Sequence, residues 1–97
     1  MYAVIFKAEI DKLDDSYFAM AAALQERATT VYGCQRLISV SEGNHEITIS
    51  YWTSLEQIQA WRNDVQHRLA QDRGRSHWYR RYQVEVADIL TEYGYDR

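Results

Sequence analysis

Apolar side chains recur at two different spacings along the chain, and the switches between those spacings divide it into six elements. Tyr2, Val4, Phe6, Ala8 and Ile10 fall on one face of an extended segment and Ala3, Ile5, Lys7 and Glu9 on the other, the period-two pattern of a strand. The second face begins apolar and ends charged, so one end of it is covered and the other is wet. Asp14 and Asp15 can accept from the free amides at a helix start, and after them Tyr17, Met20, Ala21, Leu24, Ala28 and Val31 recur at helical spacing. Gly33 then supplies the left-handed residue that closes a helix. A second strand spans about Gln35 to Val40, with Leu37 on one face and Ile38 and Val40 on the opposite one. Glu42-Gly43-Asn44 predicts a tight hairpin into a third strand of about Glu46 to Trp52. There Ile47, Ile49 and Tyr51 share one face. Thr48, Ser50 and Trp52 share the other, which is too mixed for a core and too aromatic at its end for a simple solvated face, and therefore reads as the lining of a cavity.

Thr53 or Ser54 caps a second helix, with Glu56 or Gln57 three residues on reaching back in capping-box fashion. Its predicted inward stripe is Leu55, Ile58, Arg62, Val65 and Leu69, with Trp61 at the edge, and it fades through Gln71, Asp72 and Arg73 to a terminating Gly74. A short turn or helix from Arg75 to Tyr79 leads to a last strand of about Tyr82 to Thr91, where Tyr82, Val84 and Val86 alternate with Gln83, Glu85 and Ala87. Strand, helix, hairpin, helix, strand is the split βαβ order, a ferredoxin-like α+β domain whose antiparallel four-stranded sheet carries both helices on one face. The other sheet face is left bare and apolar, and burial against a second copy is the simplest remedy, so a homodimer through the sheet face is expected.

Length and composition narrow this picture. The 97 residues support one core and one domain, residues 1–97, because a second core could not bury enough surface to offset the entropy of ordering. Four glycines and no proline leave no linker or low-complexity tract. A net charge of −3 supplies no basic footprint, which argues against nucleic acid and anionic membranes. No apolar run approaches the roughly twenty residues of a membrane span, and Met1 to Glu9 reads as a strand and not as a signal peptide, so the expected location is the cytoplasm. Cys34 stands alone, which precludes an intrachain disulfide, and reads as a small buried side chain beside a turn. His45, His67 and His77 lack metal-ligand spacing, and no Gly-rich phosphate loop or nucleophile elbow is present.

Three stretches carry a resemblance: YAVIF from Tyr2 to Phe6, ITISYWTSLEQIQAW from Ile47 to Trp61, and GRSHWYRRYQVEVADI from Gly74 to Ile89. They resemble the antibiotic biosynthesis monooxygenase (ABM) domain superfamily, in particular its small stand-alone bacterial members, over nearly the whole chain and in the same order. The resemblance implies a dimeric α+β barrel with pockets between sheet and helices. Some members of that superfamily oxidise polycyclic phenols to quinones with dioxygen and without metal or flavin. Others degrade haem, oxygenate quinols or have no known reaction. Trp61 resembles the helix-two tryptophan that lines the pocket in characterised members, though its place beside the apolar stripe equally suits core packing. Gln57 stands one turn before it, where some members have an amide. The histidine that haem-degrading members carry further along helix two corresponds here to about Gln71, and their strand-one asparagine falls in Phe6-Lys7-Ala8, which argues against haem.

Cofactor-free oxygenation asks the protein to bind an aromatic phenol, stabilise its anion and exclude water. Phe6, Trp52, Trp61, Trp78, Tyr51, Tyr79 and Tyr82 offer flat apolar surface for such a ligand, and Gln57 a polar contact. Arg62, His67, His77 or Lys7 can accept a proton or pair with a phenolate, although each equally suits a solvated or ion-paired position. The expected function is thus oxygenation of a small aromatic or quinol-type substrate, with dioxygen as co-substrate and Trp61, Arg62 and His67 as catalytic candidates. A non-catalytic binding or stress-response module using the same pocket is the first alternative, and a haem-binding or haem-degrading protein the second.

Overall fold

The computed structural model describes residues 1–64, 70 and 72–97. Strand β1 (Tyr2–Ile10) leads to helix α1 (Asp15–Thr30), the hairpin β2 (Arg36–Glu42) and β3 (His45–Trp52), helix α2 (Leu55–Arg62), a π-helical turn (Gly74–Trp78) and strand β4 (Tyr79–Asp88). All strands pair antiparallel in the order β2-β3-β1-β4, the ferredoxin-like arrangement that the alternating patterns predict.

Local chemistry sets the joints. Asp14 caps α1, its carboxylate accepting from the Tyr17 amide at 3.0 Å. Gly33 follows α1 at φ 85°, and an added Cβ would stand 2.7 Å from Gln57 Nε2. The hairpin turns on Gly43 at φ 60° with Asn44 at negative φ, the dihedral pattern of a type II′ turn with glycine first. Ser54 caps α2 by accepting from the Gln57 amide at 3.2 Å, while Gln57 Oε1 accepts from the amide and the hydroxyl of Thr53.

Register assigns the faces. Phe6 lies between Thr48 and Val84, Val4 between Ser50 and Val86, and Ala8 between Glu46 and Tyr82, so these side chains share the face that α1 and α2 cover. On that face Trp52, Ile58, Trp61, Ala28 and Cys34 form one buried cluster, and Tyr17, Ala70 and Trp78 form another. The opposite face carries the exposed Ile38, Val40 and Ile47, Val40 at 58%, and Lys7 paired with Glu85.

Three boundaries differ from the sequence reading. Helix α2 ends at Arg62, capped by Asn63, whose amide donates to Gln59 O, and Leu55 is 52% exposed, so Ile58 and Trp61 carry its buried face. Val31 caps α1 and points outward. β4 starts at Tyr79, where a register shift at Glu9/Ile10 lets it pair with Ile10, and stops at Asp88. Val65, His67, Leu69 and Gln71 lie outside the described residues.

Candidate functional site

A cavity of about 420 Å³ lies between the covered sheet face and the helices. Its floor is made by period-two side chains from neighbouring strands: Val4 and Phe6 of β1, Glu46, Thr48 and Ser50 of β3, and Tyr82 and Val84 of β4. Helix α1 supplies Tyr17, Met20, Ala21 and Leu24 as its roof, α2 supplies Ile58, Trp61 and Arg62, and the π-helical turn brings in Arg75 and Trp78. Widened helical turns of this kind are uncommon and recur at functional sites.

One end is aromatic and acidic. Phe6 meets the rings of Tyr79 and Tyr82 at 5.4 and 5.6 Å between centroids, and Tyr17 stands edge-on to Trp78 at 5.2 Å. Glu46, only 8% exposed, accepts from the Tyr17 hydroxyl at one carboxylate oxygen and from the Tyr79 hydroxyl, at 3.5 Å, at the other. Burial first, and then the bond to Glu46, pushes the Tyr17 hydroxyl up to about 12. Burial, with Tyr17 and Glu46 beside it, raises Tyr79 further still. Both phenols therefore hold their protons at neutral pH. Arg75 donates from Nε to the Tyr82 hydroxyl at 2.9 Å and adds positive charge to this end. The Trp78 indole N–H is buried without a hydrogen bond of normal geometry, although it helps Ser16 and the Tyr17 amide hold the Asp14 carboxyl below its usual range.

The other end lies four residues along β3, about 13 Å away at strand rise, where Trp61 borders the cavity and packs on Trp52 and Tyr32 at 6.2 and 5.8 Å. Trp61 thus serves both readings the sequence left open, as a core side chain and as cavity wall.

No family model matches the sequence. The uncharacterized protein YqjZ of Bacillus subtilis is 37% identical over 89 residues, 91% of this chain and 78% of that protein. The jasmonate monooxygenase ABM of Pyricularia oryzae is 26% identical over 95 residues, 94% of this chain, which spans 44% of that longer protein. SnoaB, a cofactor-independent oxygenase from Streptomyces nogalater, superposes with a TM-score of 0.78 over 94% of each chain at 10% identity. The chain belongs to one family with YqjZ and has the fold of the antibiotic biosynthesis monooxygenases.

The sequence-predicted residues divide into those that line the cavity and those that do not. Trp61, Arg62, Phe6, Trp78, Tyr79 and Tyr82 line it. Trp52 does not: it is fully buried beyond the end of the floor, packed under α2, with its indole N–H donating to Ser50 Oγ at 2.8 Å. Gln57 does not line it either, because Thr53 takes up its amide oxygen at the helix cap. Lys7 and Tyr51 sit on the opposite sheet face, Lys7 with Glu85 and Tyr51 under the Arg36 guanidinium at 4.5 Å, and His77 is exposed. His67 lies outside the described residues. Sequence reasoning passed over Glu46, the one carboxylate on the cavity wall among the described residues, and Tyr17 as its partner. The available signal was the alternation that puts Glu46 on the same face as Thr48, Ser50 and Trp52. Among the described residues no group of three His, Cys, Asp or Glu side chains could hold a metal ion, and no helix is long and apolar enough to cross a membrane.

Proposed function

We propose that this protein is a cofactor-independent monooxygenase acting on a small aromatic or quinol-type substrate. The observation that carries the reading is the cavity itself: about 420 Å³, walled by Phe6, Trp61, Trp78, Tyr79 and Tyr82, a size and character suited to a flat ring system. The reaction takes the ring CH₂ of an anthrone, or the para C–H and the O–H of a phenol, to a quinone with a new C=O. One oxygen atom of dioxygen enters the product and the other leaves as water with the two hydrogens, so four electrons pass from substrate to dioxygen.

The protein's share is to hold the ring, favour the anion that reacts with dioxygen and keep water out. Trp61 and the Phe6, Tyr79 and Tyr82 wall orient the ring. The Arg62 and Arg75 guanidiniums favour a negative charge on the substrate. His67 stays in this reading as a further proton acceptor. No haem is required, and hemin titration is expected to give no Soret band shift; a bound-haem spectrum would contradict the reading.

The same reading makes the protein a homodimer. The bare face with Ile38, Val40 and Ile47, together with Leu90, Tyr93 and Tyr95, each about 90% exposed, leaves an apolar surface that a second copy would bury. A cytoplasmic location agrees with a single cysteine that is buried and unpaired.

Dioxygen uptake over a panel of anthrones, naphthols and hydroquinones tests the activity. Uptake above that of heat-denatured protein is expected, reduced in Trp61→Phe. Saturable binding of these compounds without uptake would favour the non-catalytic binding module that uses the same cavity.

A further inference from the structure

The fold buries two carboxylates in very different company. Asp64, with its side chain 3% exposed, is met by the Arg27 guanidinium and by the Tyr32 hydroxyl at 2.6 Å, so its charge is balanced where it sits. Glu46 is almost as deeply buried, yet among the described residues no lysine or arginine forms an ion pair with it. Its oxygens also differ. Oε1 is committed to the Tyr17 hydroxyl, whereas Oε2 has, among the described residues, only the Tyr79 hydroxyl at 3.5 Å, the outer limit of a hydrogen bond. A carboxylate offers about four acceptor positions, and those of Glu46 are mostly left to whatever occupies the cavity. Glu46 itself lines the cavity, beside the Phe6, Tyr79 and Tyr82 rings that would hold a flat ligand.

We propose that Glu46 is the specificity residue of this cavity: its Oε2 accepts the hydroxyl of a phenolic ligand, with Tyr17 holding the carboxylate in place through Oε1. The cavity then selects ligands that donate a hydrogen bond at the Glu46 end over otherwise identical ligands that cannot. This rests on the cavity being the ligand site and names the chemical class it takes, phenols and hydroxyquinols as opposed to their ethers or the parent hydrocarbons. The contact is charge-assisted, stronger than one between neutral groups, and an ether oxygen placed there would face the carboxylate with no proton to share. Tyr79 competes weakly for the same oxygen and gives way to the ligand.

The test is binding, measured by isothermal titration calorimetry with 1-naphthol and 1-methoxynaphthalene on the full chain, so its outcome is separate from whether any substrate is oxygenated. Wild-type protein should prefer the naphthol by about tenfold or more, equivalent to about 1.4 kcal/mol. Glu46→Gln should bring the two ligands to similar affinity by weakening the naphthol, while the ether, to which the amide N–H can donate, binds at least as tightly as to wild type, which also reports that the cavity is intact. Tyr79→Phe, which frees Oε2 without touching the carboxylate, should bind the naphthol at least as tightly as wild type. The proposal is overturned by a wild type that does not favour the naphthol, by Glu46→Gln retaining the preference, or by Tyr79→Phe losing it, since the last would assign the hydroxyl contact to Tyr79.

Discussion

Replacing Trp52 with phenylalanine separates the floor of the cavity from its walls. The side chain is fully buried, packs against Trp61 and donates its indole N–H to Ser50 Oγ at 2.8 Å, but does not reach the cavity. The substitution removes two ring carbons, worth about 1.5 kcal/mol of burial. It leaves a void of roughly 40 Å³, which at about 24 cal/mol per Å³ adds about 1 kcal/mol. It also deprives the buried Ser50 hydroxyl of its donor, for about 1 kcal/mol more. The expected loss is therefore about 3 kcal/mol, large against the ~5–15 kcal/mol stability of a domain but short of abolishing the fold. Urea unfolding of both proteins at one concentration measures it, so that any contribution from subunit association is common to the two. By heat the same change should lower the midpoint by roughly 12–24 °C. The affinity of folded Trp52→Phe for 1-naphthol should stay within about threefold of wild type. A stability loss under about 1 kcal/mol would refute the packing argument, and a larger loss of ligand affinity than Trp61→Phe shows would return Trp52 to the ligand site.

Other expectations follow from the same geometry. Gly33→Ala forces a side chain onto φ 85° and should cost about 1–2 kcal/mol in urea unfolding; because the nearest obstacle is the flexible end of Gln57, the strain is in the backbone, and Gln57→Ala should not rescue it. Tyr17 and Tyr79 titrate higher folded than unfolded, so the stability they contribute is fully present below about pH 10 and is lost as pH rises through the folded value, about 12 for Tyr17. The urea midpoint should therefore fall across that window and fall less steeply in Tyr17→Phe; an equal slope would place the titration elsewhere. Ile47→Glu puts a charge on the bare sheet face, and sedimentation should show a dimer for wild type and a folded monomer for the variant; a dimer in both would move the interface off this face.

Much of the fold is readable because period-two and helical spacings are imposed by burial on one face, and the strands of this sheet obey that rule from Tyr2 to Val86. The same alternation assigns Thr48 and Ser50 to a cavity wall, since a face that mixes hydroxyls with tryptophan suits neither core nor solvent. The end of α2 is not readable, because Arg62 continues the helical spacing and the stop at Asn63 comes with the burial of Asp64 against Arg27 and Tyr32, residues far away in sequence. Trp52 and Trp61 look alike as aromatic wall material. Only the three-dimensional stacking of one behind the other assigns Trp52 to the core and Trp61 to the cavity. Glu46 is hidden for the opposite reason: a glutamate at a strand end ordinarily faces water, and its burial depends on Tyr17 arriving from α1 and Tyr79 from β4.

The most direct test of the central claim is the fate of labelled dioxygen. Metal- and flavin-free protein incubated with an anthrone under ¹⁸O₂ should yield a quinone carrying one labelled oxygen, with the second appearing in water, at a rate that falls in Trp61→Phe; an unlabelled quinone, or one formed equally fast without the protein, would contradict the account.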